Sequence, residues 1–394
     1  MRSFLVAVFV LLATASAGSA APALVPAPSA LEAVPCRTPI SLAKPLRFPR
    51  EIDPGGFLLL RNRWRALGIP APAVTGGAGD VDLNRATFVS LPSVDNASKT
   101  DQYEVKTGSG RITITTTTLA GTNEAQFDAL MTLAQLPERR GTRWVLPCVV
   151  IEDAPAMRWR IVSDDVSRGP FPTMNYAKQR IRTLASLKIN GWSPYMEQVF
   201  VDPAHPFVAF PNGWSAAQLH ELAVYARRFH VALIPEQQTF AHMHESLKWE
   251  QLAPLAELPH GYLLAQSDPA TYAYLEPLVK GVVAATRPVP FVHVGADEPI
   301  DLGRGRTPRT PQVFADHVNR VAAFVAGSGA RPMIWDDAIQ QDRSILPLLP
   351  KDVVVVTFHY GVEKTYKPYI DAVANAGFDQ MIAPGAANWN EIYP

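Results

Sequence analysis

Two adjacent carboxylates, Asp297 and Glu298, close the run Pro290-Phe-Val-His-Val-Gly-Ala-Asp-Glu-Pro299. The run opens apolar and reads as a strand over Phe291 to Gly295. His293, Gly295 and Asp297 share one parity of an extended chain, and Val292, Val294 and Ala296 share the other. An ideal strand would turn Asp297 and Glu298 to opposite faces, but at a strand's last residues both still reach the rim of a pocket. Pro299 disfavours a helical conformation at Glu298 and is expected to keep that residue extended. Paired carboxylates at the C-terminal end of a buried strand suit acid/base chemistry on a sugar. The same pair could equally open the next helix, where carboxylates suit the dipole.

Polar and aromatic residues recur at the ends of other apolar runs. They are Asp164-Asp-Val-Ser-Arg168, Glu197-Gln198, Glu236-Gln-Gln-Thr-Phe-Ala-His242, Trp335-Asp-Asp337, His359-Tyr360 and Asn388-Trp-Asn390. Carboxylates and amides grip hydroxyls, and aromatic rings stack on the faces of sugars. Collected on one rim, these residues would form a carbohydrate site.

The elements that must collect them alternate strand and helix from Met157 onward. Strands are expected over Arg158–Asp164, Ile189–Met196, Val231–Pro235, Phe291–Gly295, Pro332–Trp335, Val353–Phe358 and Gln380–Ala383. Helices are expected over Met174–Leu187, Ser215–Phe229, Thr271–Ala284, Pro311–Ala326 and Tyr366–Ala376. Repeated βα units with near-continuous apolar strands indicate a parallel sheet. Seven such strands imply an α/β (β/α)8 TIM barrel over residues 156–394 whose last βα unit is missing. An open edge would be exposed, which favours reading the sequence as a fragment.

Ahead of the barrel, residues 21–155 read as a small α+β domain with a linker rich in Ala and Pro at 21–35. Tyr103–Thr107, the turn Gly108-Ser-Gly110 and Arg111–Thr118 form a hairpin pattern. Asn123–Leu136 reads as a helix, and Arg143–Ile151 as one further strand. Residues 1–20 carry Arg2, an apolar run and a small-residue zone, the pattern of a signal peptide. The protein is therefore expected to be secreted or periplasmic, with no membrane span after cleavage. Cys36 and Cys148 could pair in such a compartment or remain as buried thiols. Asn96-Ala-Ser98 is a glycosylation sequon. Lys plus Arg and Asp plus Glu each number 36, giving zero net charge, so nothing suggests a nucleic-acid partner or a polyanion.

Four stretches together resemble glycoside hydrolase family 20, the β-N-acetylhexosaminidases. They are Asp164-Asp-Val-Ser-Arg-Gly-Pro-Phe-Pro172, Leu187-Lys-Ile-Asn190 with Glu197, Ile234-Pro-Glu-Gln-Gln-Thr-Phe-Ala-His242, and His293-Val-Gly-Ala-Asp-Glu298. The last is similar to the family's His-x-Gly-Gly-Asp-Glu signature, with Ala296 at the second Gly. Tyr103–Leu136 is similar to the small domain that precedes the barrel in this family.

The resemblance implies exo-acting hydrolysis of terminal β-linked N-acetylhexosamine by a substrate-assisted retaining mechanism, with no cofactor and no metal. N-acetylhexosamine-containing glycans or chitooligosaccharides would be the partners. Glu298 would be the general acid and base, its pKa raised by burial and by its carboxylate neighbour. Asp297 would orient the acetamido N–H and stabilise developing positive charge. Arg168 would grip ring hydroxyls, with an ion pair to Asp164 or Asp165 as the alternative. Glu197 would bind distal hydroxyls, and His242 and His293 would stand near the acid. Trp335 would wall the acetamido pocket, with Tyr360 or Trp389 as another wall. The family's tyrosine after strand seven has no counterpart before Tyr393. Two other readings stay open. One is a non-catalytic carbohydrate-binding protein with a decayed barrel. The other is a metal-dependent hydrolase using His242, His244, His293 and Asp297.

Overall fold

The structure, a computed structural model, describes residues 22–36, 38–77, 79–88, 101–119, 123–361 and 363–385. The leader pattern at 1–20, the sequon at Asn96 and the Asn388-Trp389-Asn390 segment lie outside the described residues. Two compact units are present: Met1–Ile52 with Leu60–Pro155, and Asp53–Leu59 with Ala156–Pro394.

The first unit holds β1 (Ala30–Ala33), β2 (Ile40–Ser41), β3 (Arg47–Pro49), β4 (Ala73–Thr75) and β5 (Val81–Phe88). Helix α1 (Pro54–Ala66) is divided between the units after Leu59. There follow β6 (Gln102–Gly108), β7 (Arg111–Leu119), α2 (Glu124–Gln135), β8 (Glu138–Arg140), β9 (Arg143–Leu146) and β10 (Val149–Asp153). The main sheet runs β1-β10-β6-β7-β5. Its β6–β7 hairpin pairs Tyr103 with Thr116 and closes at Gly108 and Arg111. Ser109 and Gly110 both take positive φ, 51° and 79°, the signature of the turn whose twist matches the flanking strands. Alternation along the hairpin buries Tyr103, Val105, Ile112 and Ile114. Helix α2, buried from Ala125 to Ala134, packs on β6 and β7.

Two expectations are corrected in this unit. The segment read as a linker contributes β1, which pairs antiparallel with β10 through Leu31 and Ile151. The single strand expected over Arg143–Ile151 is two strands in different sheets, β9 pairing β2 and β8 while β10 pairs β1 and β6. The break falls at Pro147-Cys148, because proline has no ladder donor and Cys148 is tied by a disulfide to Cys36, Cα to Cα 6.1 Å. Strand β5 and helix α1 had not been expected; β5 adds in parallel to β7 over Val81–Phe88.

The second unit is built from β11 (Ile161–Asp165), α3 (Met174–Ser186), β12 (Gly191–Met196), α4 (Ala216–Arg227), β13 (Ala232–Leu233), β14 (Glu236–Gln237), α5 (His244–Leu247) and α6 (Pro269–Thr286). It continues with β15 (Phe291–His293), α7 (Pro311–Val325), β16 (Arg331–Trp335), α8 (Asp337–Gln341), β17 (Val354–His359), α9 (Lys367–Asn375) and β18 (Gln380–Pro384). The strands pair in chain order, β11-β12-β14-β15-β16-β17-β18, with β13 also on β12. Every pairing is parallel. Sequential parallel strands joined through helices are the organisation of the (β/α)8 barrel class.

Side-chain caps start four of these helices, at Ser215 as expected and, for α6, two residues before the expected Thr271. Ser215 and Gln218 form a reciprocal capping box on α4, and Thr173, Asp268 and Thr310 cap α3, α6 and α7. The first and second strands begin at Ile161 and Gly191, later than the expected Arg158 and Ile189, and two further strands differ more from the sequence reading. The third breaks into β13 and β14 around Ile234-Pro235, since Pro235 cannot donate to the ladder. The fourth stops at His293, two residues short of Gly295.

Candidate active site

The early end of β15 comes from backbone chirality. Gly295, Ala296 and Glu298 take φ values of 74°, 71° and 47°. This left-handed coil replaces the extended end expected at Glu298; Pro299 does not hold Glu298 extended. The coil also cancels strand alternation, so Asp297 and Glu298 converge on one partner instead of facing apart. The Nε2 of His242 lies 3.1 Å from Asp297 Oδ2 and 3.4 Å from Glu298 Oε2. Gly295 has no alternative here, because a Cβ on it would stand 2.1 Å from Gln238 Oε1. Ala296 adopts the same conformation with a Cβ, at a cost of about 1–2 kcal/mol. That cost gives a physical reason for glycine at this position in the family signature.

The two carboxylates sit in different surroundings. Asp297 has a side chain only 14% exposed and accepts from the Gln238 amide at 2.9 Å. Burial pushes its pKa up, but the His242 hydrogen bond and charge, with the Gln238 bond, outweigh burial and hold it below the usual carboxylate range. Burial likewise acts to lower the His242 pKa, and the hydrogen bonds and charges of Asp297 and Glu298 overcome it, raising the ring to about 10. At neutral pH, Asp297 is an anion against an imidazolium. Glu298 is not buried as expected: its side chain is 49% exposed. Its backbone is what the fold grips, with N–H donating to Asp337 Oδ2 at 2.9 Å and C=O accepting from Tyr262 at 3.2 Å. Burial raises Asp337 to about 7, although the Glu298 N–H opposes this.

Arg168 stands at the end of β11, in the turn that Asp165 organises. Asp165 Oδ1 accepts from the backbone N–H of Ser167 at 2.8 Å and of Arg168 at 3.0 Å, and Oδ2 accepts from Arg168 Nε at 2.6 Å. The ion pair entertained as an alternative is therefore present, with Asp165; Asp164 pairs instead with Arg180 Nε at 2.7 Å and the Trp192 indole at 3.0 Å. The pair does not withdraw Arg168 from the rim. Its Nε is also 3.6 Å from Glu197 Oε1, and its guanidinium lies 4.7 Å from the Tyr195 ring centre. Tyr195 donates to the same Glu197 oxygen at 2.8 Å. Burial raises the Glu197 pKa, opposed by Tyr195 and Arg168. Arg168, Glu197, Gln198, Phe210, His242 and Tyr262 line a cleft of about 460 Å³. That size suits a small ligand.

His293 hydrogen-bonds neither carboxylate. Its Nδ1 accepts the Gly295 N–H at 3.0 Å, which leaves the proton on Nε2. Burial pushes its pKa down to about 3 despite the charge of Asp297, so the ring is neutral. Trp335 packs against it with ring centres 4.5 Å apart, and Phe358 and then Tyr360 continue the aromatic row at 5.4 Å each. Tyr360 is 46% exposed. Trp389 lies outside the described residues. Among the described residues no three His, Cys, Asp or Glu side chains are grouped to hold a metal, so His242, His244, His293 and Asp297 form no such set.

Several contributors escaped the sequence reading. Glu236 and Gln238 were visible only as polar residues at a strand end. Glu236 proves to be a fully buried acid bonded by Ser163, Ser193 and Trp335, and Gln238 anchors Asp297. Tyr195 lies two residues before Glu197 on β12, so strand parity could have found it. Tyr262 comes from a long loop with no sequence signal.

Residues 205–389 match the family model described as Glycosyl hydrolase family 20, catalytic domain. A β-N-acetylhexosaminidase of Cellulomonas fimi is 26% identical over 341 residues, which is 79% of this chain and 62% of that protein. The chain thus spans under two thirds of that relative's length. Among solved structures, a Flavobacterium johnsoniae chitobiase superposes with TM-score 0.74 at 18% identity, covering 92% of this chain and 59% of the other. A β-N-acetylhexosaminidase of Streptomyces coelicolor gives 0.72 at 21% identity, covering 93% and 76%.

Proposed function

We propose that this chain, which belongs to glycoside hydrolase family 20, removes terminal β-linked N-acetylhexosamine residues from glycans by a retaining mechanism in which the substrate's own acetamide attacks. One observation carries the reading: two carboxylates share one imidazolium, yet one is buried and anchored while the other is half exposed with a fixed backbone. In the two-carboxylate schemes the acid and its partner flank the scissile bond from opposite sides, whereas here both carboxylates meet the same His242 nitrogen. Here the labour divides. Asp297, ionised and immobile, accepts the acetamido N–H and balances the positive charge that develops as the acetamido oxygen closes on the anomeric carbon. Glu298 has the solvent access needed to give a proton to the leaving oxygen and then take one from water. Arg168 and Glu197, which line the cleft with His242, grip hydroxyls at the far side of the ring. Trp335 and Tyr360 supply aromatic surface for the acetamide side. Export of the protein belongs to the same reading and is supported by the leader pattern at 1–20.

Release of an aryl alcohol from its N-acetyl-β-glucosaminide tests the reading. Glu298→Gln should lower kcat by at least about a hundredfold, as expected for loss of a general acid. No turnover by the wild type, or full turnover by Glu298→Gln, would refute it. Tight chitobiose binding without turnover would instead favour a carbohydrate-binding protein.

A further inference from the structure

None of the steps above uses Glu236, yet its carboxyl group is buried, the residue only 1% exposed. It projects from β14 and accepts from three other strands: Ser163 Oγ of β11 at 3.0 Å, Ser193 Oγ of β12 at 3.3 Å and Trp335 Nε1 of β16 at 3.0 Å. All three donors are neutral. Burying a carboxyl group carries a desolvation cost that bonds from neutral donors only partly offset. Stability alone is therefore a poor account of it.

The three donors differ in what they need. A serine hydroxyl can rotate to another acceptor. An indole N–H is a donor only and points along one direction. The bond to Glu236 therefore fixes the rotation of Trp335 about its side-chain axis. The ring so fixed packs on His293 at 4.5 Å and meets Phe358 edge-on at 79°. His293 is itself locked by the Gly295 N–H. Burial and then the charge of Asp297 raise Glu236 to about 8, which leaves it largely a neutral acid near pH 7.

We propose that Glu236 is a positioning residue for the substrate's 2-substituent: it sets the plane of Trp335, and that plane makes the site select 2-acetamido over 2-hydroxy sugars. The inference rests on the proposed function and deepens it.

Protein labelled with 5-fluorotryptophan tests it, the Trp335 resonance being identified by its loss in Trp335→Phe. Glu236→Gln keeps an acceptor for the indole and should leave that resonance in place. Glu236→Leu removes the acceptor and should shift and broaden it. Calorimetry with N-acetylglucosamine and with glucose then measures preference for the acetamide, which should fall about tenfold in Glu236→Leu. In a Trp335→Phe background the same Leu substitution should cause no further loss, since the residue acts through the ring. An unmoved resonance, or an undiminished loss in the Trp335→Phe background, overturns the proposal. Should the Leu variant fail to fold, Trp335→Phe alone should lose about tenfold in preference, and an unchanged preference there overturns it equally. Wild-type protein that binds neither sugar, with a resonance that still moves, overturns the functional reading and leaves the hold on Trp335 supported.

Discussion

Adding one methyl group at Gly295 should disarm Asp297 from behind. A Cβ there would lie 2.1 Å from Oε1, 2.7 Å from Cδ and 3.0 Å from Nε2 of Gln238. Gln238 is fully buried, and its Nε2 is spent on Asp297 at 2.9 Å, so it has no cheap retreat. Two costs add. The left-handed backbone at φ 74° costs an alanine about 1–2 kcal/mol, and overpacking a filled site costs about 1–3 kcal/mol more. Gly295→Ala should therefore destabilise by roughly 2–5 kcal/mol, read from urea unfolding. Displacing Gln238 also removes a hydrogen bond to a charged group worth about 1.5–3 kcal/mol, so kcat/KM for an aryl N-acetyl-β-glucosaminide should fall about 10–100-fold. The mechanism is checked by shortening the obstacle. In a Gln238→Ala background the methyl has room, and only the backbone cost of about 1–2 kcal/mol should remain. An equal cost in both backgrounds would refute the steric argument.

Other outcomes follow from the same geometry. The His242 pKa is raised from 6.5 to about 10, so its contribution to stability is fully present below pH 6.5 and is lost as pH climbs through about 10. The stability difference between wild type and His242→Gln should shrink across that window by up to about 1.4 kcal/mol per pH unit; a difference independent of pH would contradict the ion pair. Arg168→Ala should raise KM by about 10–100-fold, and Arg168→Lys should not restore it, because a point charge cannot reproduce the planar fork between Asp165 and Glu197. Reducing the Cys36–Cys148 bridge, which spans 112 residues, should cost about 4–5 kcal/mol in the chain-entropy account, measurable as a lower urea midpoint with reductant present.

Periodicity carried the barrel strands and helices. Ser215, Thr173 and Thr310 mark helix starts by local chemistry alone. Elements without such a signal were lost. β1 is four residues in an Ala- and Pro-rich segment and exists because β10 offers it an edge. Residues 143–151 read as one apolar run, yet they serve two sheets: β9 pairs in a local hairpin with β8, while β10, beyond Pro147, pairs with β1 and β6 from far earlier in the chain.

For the site, sequence by itself determined which residue types stand at the strand ends: Asp297, Glu298, Arg168, Glu197, His242 and Trp335 all belong to that set. Local pattern suffices for this because strand ends are set by apolar runs and their breakers. Tertiary structure decided how the two carboxylates differ. Three left-handed residues undo the alternation that would separate them, and an imidazolium from the loop after β14 joins them. Burial then separates their roles, since Gln238 anchors one while the other meets solvent. Backbone handedness at Ala296 and Glu298, and the depth of Glu236 beneath Trp335, depend on contacts across 39 to 99 residues of sequence, which no local pattern encodes.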